Sequence, residues 1–209
     1  MINVDGAWQE EPAFRINIDE AWQDAPSARV YDDGAWQEIL TPEPLYLIKD
    51  GVYQVDFTEV PYWKNSSGNG AVTENASAGY VQIATDGMDM PAIITTDAIN
   101  LTRYKTLNID ATAQIYLYDK TLYNHAAAGV YESVPSSIMT GTSAALREGN
   151  LLHKQFYSFT GSKTTSFKDA DGAVDISSVN QEGHIYIGIS SWNYSDDYSK
   201  LRIMNLWLS

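Results

Sequence analysis

The alternation of apolar and polar positions divides the chain into a repetitive N-terminal part and a longer, irregular C-terminal part. In residues 1–40 a short apolar run followed by Ala-Trp-Gln recurs with a spacing of 14 residues. After residues 41–44, longer alternating runs are separated by segments rich in Gly, Ser, Asn and Asp. A period of two places every second side chain on the same face of a strand, so both parts are predicted to be β structure.

The repeated unit is Asp-Gly-Ala-Trp-Gln-Glu at residues 5–10, and related hexapeptides occupy residues 19–24 and 33–38. Asp-Gly between two short extended runs is a strong hairpin signal, so three β-hairpins are predicted. Whether each turn has two or three residues decides on which face the Trp lies, and the sequence leaves that register open. An isolated hairpin is marginally stable in water and cannot enclose an indole ring. We therefore predict an assembly role for Trp8, Trp22 and Trp36.

These tandem units resemble short repeats of bacteriophage and prophage tail or fibre proteins, in which they often precede a β-sandwich. The resemblance covers residues 1–40 by repeat unit and the rest of the chain by pattern. It implies a virion protein, made in the bacterial cytoplasm, whose repeats attach it to other virion proteins. It also implies a homo-oligomer, with a trimer favoured, in which neighbouring chains shelter the hairpin edges. The alternative is a hairpin tandem in another kind of surface protein.

The second part begins after a predicted linker, Thr-Pro-Glu-Pro at residues 41–44, because two prolines so close together disfavour both helix and central strand. Residues 45–209 contain many short alternating runs and almost no helical pattern, which predicts an all-β, two-sheet jelly-roll β-sandwich. The final run, 201–208, changes its alternation at Met204-Asn205 and so predicts a β-bulge. The best helical candidate is 143–152.

Two runs in the second part, 97–107 and 174–189, resemble segments of galactose-binding-like jelly rolls. Carbohydrate-binding modules of many glycosidases share this fold, so the resemblance implies a sugar-binding sandwich. It also implies that a structural calcium ion can be held near a loop, although no residue is identified as its ligand. No other cofactor is predicted.

Composition and charge narrow the range of partners. Hydrophobic residues make up 44% of the chain and charged residues 19%, which is the balance of a globular protein. There is no Cys, so disulfides and thiolate chemistry are excluded. The formal net charge is −14, of which −8 lies in residues 1–43, and nucleic acid repels such a surface. No export leader and no membrane-spanning run are recognised, so no membrane insertion is expected.

No motif in the chain indicates catalysis. His125, His153 and His184 lack the spacing of metal ligands, which favours surface or loop positions for them. The segment 169–172, Asp-Ala-Asp-Gly, resembles half of a calcium loop, but its spacing fails the EF-hand pattern and a turn is the preferred interpretation. There is neither a Gly-x-Ser-x-Gly motif nor a P-loop. We therefore expect no enzyme activity.

Aromatic residues in two polar segments, 61–65 and 191–197, are the better candidates for a functional site. Aromatic rings can stack on the apolar face of a sugar, while Asn and Asp side chains bond to its hydroxyl groups. The alternative is that the two Trp rings fold back and cover the ends of the core. The predicted ligand-binding residues are Tyr62, Trp63, Asn65, Trp192, Asn193 and Tyr194.

The expected function is therefore adhesion of a phage appendage, such as a tail fibre or baseplate, to a host-surface carbohydrate. A different class of function, a capsid or tail decoration protein or adaptor without a ligand, remains the main alternative. A third hypothesis is an accessory carbohydrate module of a bacterial enzyme system, and the missing export leader argues against it. The rings, the charge and the repeats do not distinguish a tail from a head location.

Overall fold

The computed structural model of the chain divides into two compact units, Met1–Pro42 and Glu43–Ser209. In the first unit the structure describes six short strands by their backbone. In the second unit it describes residues 43–63, 71–85, 90–114, 125–140, 145–158, 166–191 and 199–209.

The first unit consists of three antiparallel hairpins, one for each sequence repeat. In each hairpin two residues separate the paired strands, because Val4 is the partner of Ala7, Ile18 of Ala21 and Asp32 of Ala35. The register left open by the sequence is therefore that of a two-residue connection. The strands are β1 (Ile2–Val4), β2 (Ala7–Gln9), β3 (Arg15–Ile18), β4 (Ala21–Asp24), β5 (Arg29–Asp32) and β6 (Ala35–Glu38).

The second unit is an antiparallel β-sandwich of two sheets, as the alternating pattern predicted. The strands of sheet 1 are β7 (Leu45–Lys49), β8 (Val52–Tyr53), β10 (Ala71–Asn75), β11 (Tyr80–Ala84), β14 (Thr106–Gln114), β19 (Lys168–Asp169), β20 (Gly172–Asp175) and β22 (Lys200–Leu208). Those of sheet 2 are β9 (Phe57–Pro61), β12 (Pro91–Thr95), β13 (Ile99–Asn100), β15 (His125–Tyr131), β18 (Asn150–Ser158) and β21 (Glu182–Ser190). A small hairpin of β16 (Met139–Thr140) and β17 (Ala145–Leu146) and one 3-10 turn, Ala76–Ala78, complete the described elements.

The middle of sheet 1 is β22, which pairs with β14 along one edge and with β11 and then β7 along the other. The predicted bulge is confirmed: Asp110 is opposite Asn205, whereas Ala111 is opposite Ile203, so Met204 has no partner on β14. The carbonyl of Met204 instead accepts a hydrogen bond of 2.9 Å from the Gly51 amide. The bulge lets Ile203 and Leu206 both face the core although they are three residues apart.

The core between the sheets is built from the alternating faces of the central strands. In β14 the side chains of Leu107, Ile109, Ala111 and Ala113 are buried, and the residues between them are half-buried. Strand β21 contributes Ile185, Ile187 and Ile189 from the facing sheet. This is the two-layer arrangement in which each sheet buries one face against the other.

The outer face of sheet 2 is also covered by apolar side chains, and in this respect sheet 2 differs from sheet 1. Strands β12 and β15 are buried at every position. Their outward side chains join a second apolar cluster, and the segment 137–139 lies along β9 because the Ile138 and Met139 amides bond to the carbonyls of Pro61 and Tyr62. The cluster consists of Val60, Tyr62, Met90, Ala92, Ile94, Ala127, Tyr131, Ile138, Met139 and Tyr186.

The helix predicted for 143–152 is wrong. In the described part of that range, β17 is followed by a turn at Arg147–Gly149, and β18 begins at Asn150. Gly149 has a φ of 81°, which lies outside the right-handed helical region. A helix through residues 143–152 would therefore be interrupted at Gly149, directly before β18 begins.

Candidate functional site

Five strands of sheet 2 reach a common end of the sandwich, which we call the loop end. It is defined by Pro61, Pro91, His125, Ser158 and Ser190, because Pro61 is opposite Pro91 and His125 is opposite both Ser158 and Ser190. Both aromatic segments singled out in the sequence leave the sheet here, since one follows β9 and the other follows β21. The fold therefore places the ends of β9 and β21, which are about 130 residues apart in sequence, at the same end of one sheet.

Trp63, in the first segment, contacts the last residue of β21. Its indole Nε1 donates a hydrogen bond of 3.0 Å to Ser190 Oγ, and Ser191, the next residue, opens the second segment. The Ser190 hydroxyl in turn lies 3.4 Å from Met90 Sδ. The indole is half-buried and packs against the second apolar cluster. The ring is thus fixed at the loop end with part of its surface in solvent.

Tyr62 has a different position from the one that a sugar-stacking residue needs. Its side chain is fully buried, and its hydroxyl lies 2.7 Å from His125 Nε2. The ring also covers Gly188, where an added Cβ would lie 2.8 Å from Tyr62 Cδ2. With no ring face open to solvent, Tyr62 packs beneath the loop end, and the direct sugar contact expected of it is not compatible with this position. The predicted ligand-binding residues Asn65, Trp192, Asn193 and Tyr194 lie outside the described residues.

Two histidines lie side by side beneath the loop end. The rings of His125 and His153 are 6.4 Å apart in an edge-on arrangement, and each histidine is hydrogen-bonded to a tyrosine hydroxyl: His125 Nε2 to Tyr62 and His153 Nδ1 to Tyr186. The expectation of a surface or loop position is wrong for His125, which is buried in β15, whereas His153 is half-buried in the edge strand β18. The sequence signal that was missed is the unbroken apolar run that follows His125, which is typical of a strand covered on both faces.

The burial of this group explains its electrostatics. Burial, together with the neighbouring His153, lowers the pKa of His125 from 6.5 to about 4. Burial also lowers the pKa of His153. Burial raises the pKa of Tyr62 and of Tyr186, so both phenols stay protonated and both imidazoles stay neutral near pH 7. The cluster is therefore an uncharged hydrogen-bonded support for the loop end.

The stability of the sandwich should fall in acid because of this pair. The unfolded chain takes up a proton on His125 below about pH 6.5, whereas the folded chain does so only near pH 4, so stability present above pH 6.5 is lost across that window, by about 3 kcal/mol. We expect His125→Gln, which keeps a hydrogen-bond partner for Tyr62, to flatten the difference between urea unfolding curves at pH 7.5 and 4.5. The matched variant His184→Gln should keep the wild-type difference, and equal pH dependence in wild type and His125→Gln would contradict the assignment.

Metal-ligating residues do not converge in the described part of the chain. No group of three or more His, Cys, Asp or Glu side chains is placed to hold a metal ion there. In the 169–172 segment, Asp171 Oδ1 accepts a hydrogen bond of 2.9 Å from the Ala111 amide, and the Ala170 amide donates to the Ala111 carbonyl. The segment is therefore the break between β19 and β20 on the edge of β14. The Asp171 side chain thus takes the place of a backbone partner for the Ala111 amide.

No helix among the described residues is long and apolar enough to cross a membrane.

Comparison with known proteins finds a distant structural likeness and no match by sequence. No protein-family model matches the sequence. A comparison with curated proteins also finds no match. Among solved structures, the chain is similar to the K3 cleaved adhesin domain of Lys-gingipain (Kgp) from Porphyromonas gingivalis w83, with 12% identity and a TM-score of 0.42. The similarity covers 73% of this chain and 90% of that domain.

Proposed function

We propose that the protein is a non-catalytic adhesive protein of a phage or prophage virion. In this proposal the sandwich binds a neutral carbohydrate of the host surface at the loop end, and residues 1–40 attach it to other virion proteins. The observation that carries the carbohydrate part is the indole of Trp63, which is fixed by its bond to Ser190 and partly exposed at the loop end.

A ring in this position suits a sugar for two reasons. Its hydrogen bond and its packing hold it in place before a ligand arrives, so little side-chain entropy is lost on binding. Its exposed surface offers an apolar face for the C–H groups of a pyranose ring. We propose that Asn65, Trp192, Asn193 and Tyr194, which belong to the two segments that leave the sheet here, supply further contacts. Tyr62 supports Trp63 from below, with ring centroids 6.2 Å apart.

The expected ligand at this site is neutral. A net charge of −14 raises the cost of approach for a polyanionic sugar. Stacking on Trp63 should also be insensitive to salt, unlike binding through Lys and Arg. A single site of this size binds weakly, and several copies on one particle would supply the avidity that adhesion needs.

Replacement of Trp63 by Ala should weaken attachment of the purified protein to host cells or to immobilised host glycan by about tenfold, since a stacked ring contributes about 1 kcal/mol beyond the area that it buries. The matched control is Trp207→Ala. Trp207 is also a half-buried indole, but it stacks on Tyr46 at the far end of β22, with ring centroids 5.9 Å apart. Trp207→Ala should leave attachment unchanged.

Trp63→Phe separates packing from recognition, because it keeps an aromatic ring in the second cluster but loses the bond to Ser190. Intermediate attachment is expected for it, with a melting temperature close to that of the wild type. Undiminished attachment by Trp63→Ala would remove the loop end as the site. Failure of the wild-type protein to attach to any host surface would instead support the decoration or adaptor alternative.

The attachment role of residues 1–40 rests on the size of the hairpins. Each is a two-stranded sheet with strands of three or four residues, which is below the size that is stable alone in water. We propose that the three hairpins dock on other virion proteins and on neighbouring chains around a threefold axis, with Trp8, Trp22 and Trp36 at the contacts.

Deletion of residues 1–42 should abolish incorporation of the protein into particles and leave a folded sandwich, because Glu43–Ser209 is a compact unit with its own core. Incorporation is measured by the protein content of purified particles, and the oligomeric state by the mass of the full chain in solution. Normal incorporation of the truncated chain would contradict the attachment role. A monomeric full chain at micromolar concentration would contradict the trimer.

A further inference from the structure

The outer face of sheet 1 carries two basic residues next to each other on β22. Leu201 and Ile203 face the core, so the alternation of the strand places Lys200 and Arg202 on the opposite side. Residues two apart on one face of a strand are separated by about 7 Å. Both side chains are half-buried. This face is on the other side of the sandwich from Trp63, which packs on the outer face of sheet 2.

The guanidinium group of Arg202 is held rigidly between two aromatic rings. Its Cζ lies 3.7 Å from the centroid of the Phe167 ring and 4.3 Å from that of Tyr80. Its Nε donates a hydrogen bond of 3.1 Å to Gln82 Oε1. These three contacts fix the plane of the guanidinium group and leave its two terminal amino groups for a ligand.

Neither basic residue has a carboxylate partner among the residues that the structure describes. Of the described acids on this face, one is hydrogen-bonded and one lies two strands away from β22. Asp110 accepts a hydrogen bond of 2.6 Å from Asn205 Nδ2. Asp169 lies on β19, and Thr112 of β14 lies between it and Arg202 in the sheet. In a chain with 27 acidic residues, two adjacent cations without an acidic partner in the described part of the chain are a local reversal of charge.

The strands on each side of this pair present uncharged polar side chains. By register, Arg202 lies between Gln82 on β11 and Thr112 on β14, and Lys200 lies opposite Gln114. All three neighbours are half-buried, so they form a flat polar strip beside the cations. Amide and hydroxyl groups in such a strip can donate to and accept from sugar hydroxyl groups.

We propose that Arg202 and Lys200 bind the carboxylate of an acidic sugar residue, such as a uronic acid, at a second carbohydrate site on the outer face of sheet 1. A preorganised guanidinium fork matches a carboxylate in two parallel hydrogen bonds. The ammonium group of Lys200 adds charge from the next position, and Gln82 and Thr112 take the ring hydroxyls. Because the whole chain is acidic, the ligand carries isolated carboxylates among neutral sugars. This site does not depend on the one proposed at Trp63.

The test uses two forms of one oligosaccharide: a form with a single glucuronic acid, and the same molecule with that carboxyl group reduced to the alcohol. Titration calorimetry with the full-length protein should show about tenfold tighter binding of the acidic form, since hydrogen bonds to charged groups contribute about 1.5–3 kcal/mol. That preference should shrink as salt is raised, because both cations are partly exposed. Equal affinity for the two forms would overturn the proposal.

The variants locate the preference on the protein. Arg202→Gln should remove most of the preference for the acidic oligosaccharide. Arg202→Lys should keep part of that preference, because the lysine retains the charge but not the bidentate geometry. Lys200→Gln is an independent test, because it leaves the ring contacts of Arg202 in place. It should lower the preference for the acidic oligosaccharide about threefold. Arg103→Gln, which removes an exposed arginine from the turn before β14, is the control and should change nothing. Trp63→Ala should also keep the preference. Loss of the preference in Trp63→Ala, or its retention in both Arg202→Gln and Lys200→Gln, would overturn the assignment.

Discussion

Replacement of Gly129 by Ala is expected to destabilise the sandwich by about 3 kcal/mol or more, which for a domain of this size lowers the melting temperature by about 6–12 °C. Gly129 lies in the middle of β15, where an added Cβ would be 2.0 Å from the Leu152 carbonyl oxygen and 2.9 Å from Tyr186 Cε1. The first obstacle is backbone of the paired strand β18. It cannot rotate away, so the two strands must separate locally.

Gly149→Ala is the matched control for this prediction. Gly149 has a φ of 81°, but an added Cβ would meet only Glu132 Cβ, at 3.9 Å. Alanine there introduces backbone strain without a steric clash, which costs about 1 kcal/mol. Thermal unfolding of both variants by circular dichroism compares the two effects. If Gly129→Ala is no less stable than Gly149→Ala, β15 and β18 do not approach as closely as described.

The same close approach shows what the sequence could predict and what it could not. Alternation is clear in β14 and β22, because each buries one face in the core and leaves the other half-buried, and a side-chain period of two leaves a clear trace in the sequence. The shift in that alternation also predicted the bulge at Met204. Strand pairing is absent from such a local pattern, so no feature near Gly129 indicates that β18 would lie against it.

The second apolar cluster was missed for a related reason. Strand β15 is buried at all seven positions, and β12 at all five, because the second apolar cluster covers the outer face of sheet 2. A strand covered on both faces loses its alternation, and its sequence then resembles any short apolar run. His125 and Tyr62 lie inside the fold because this cluster covers them, and no local sequence pattern indicates the cluster.

The sequence singled out Trp63 as an aromatic residue in a polar segment, which is a local feature. Its bond to Ser190 joins residues 127 positions apart, and no local pattern indicates it. No feature of the sequence singled out the pair of Lys200 and Arg202. Its character depends on Phe167 and Tyr80, which come from two other segments and meet Arg202 only in the folded sheet. Contacts between distant segments are set by topology, and a single sequence does not report them.

Removal of β22 by truncation after Ser199 should abolish folding of the sandwich. The deleted strand lies in the middle of sheet 1, and it carries Leu201, Ile203, Leu206 and Leu208, all with no exposed surface. Burial of four such side chains contributes about 6–12 kcal/mol, which is comparable with the whole stability of a domain, about 5–15 kcal/mol. The truncation also leaves β14, β11 and β7 with open edges that favour aggregation.

Truncation at the other end of the chain is the control for this experiment. The chain lacking residues 1–42 should keep a cooperative unfolding transition in urea, whereas the chain lacking 200–209 should show none and should be digested rapidly by protease. Leu206→Ala tests the same packing by a smaller step, with an expected loss of about 2–5 kcal/mol from a site of zero exposure. A cooperative transition in the chain without β22, close to that of the full chain, would show that this strand is not the centre of sheet 1.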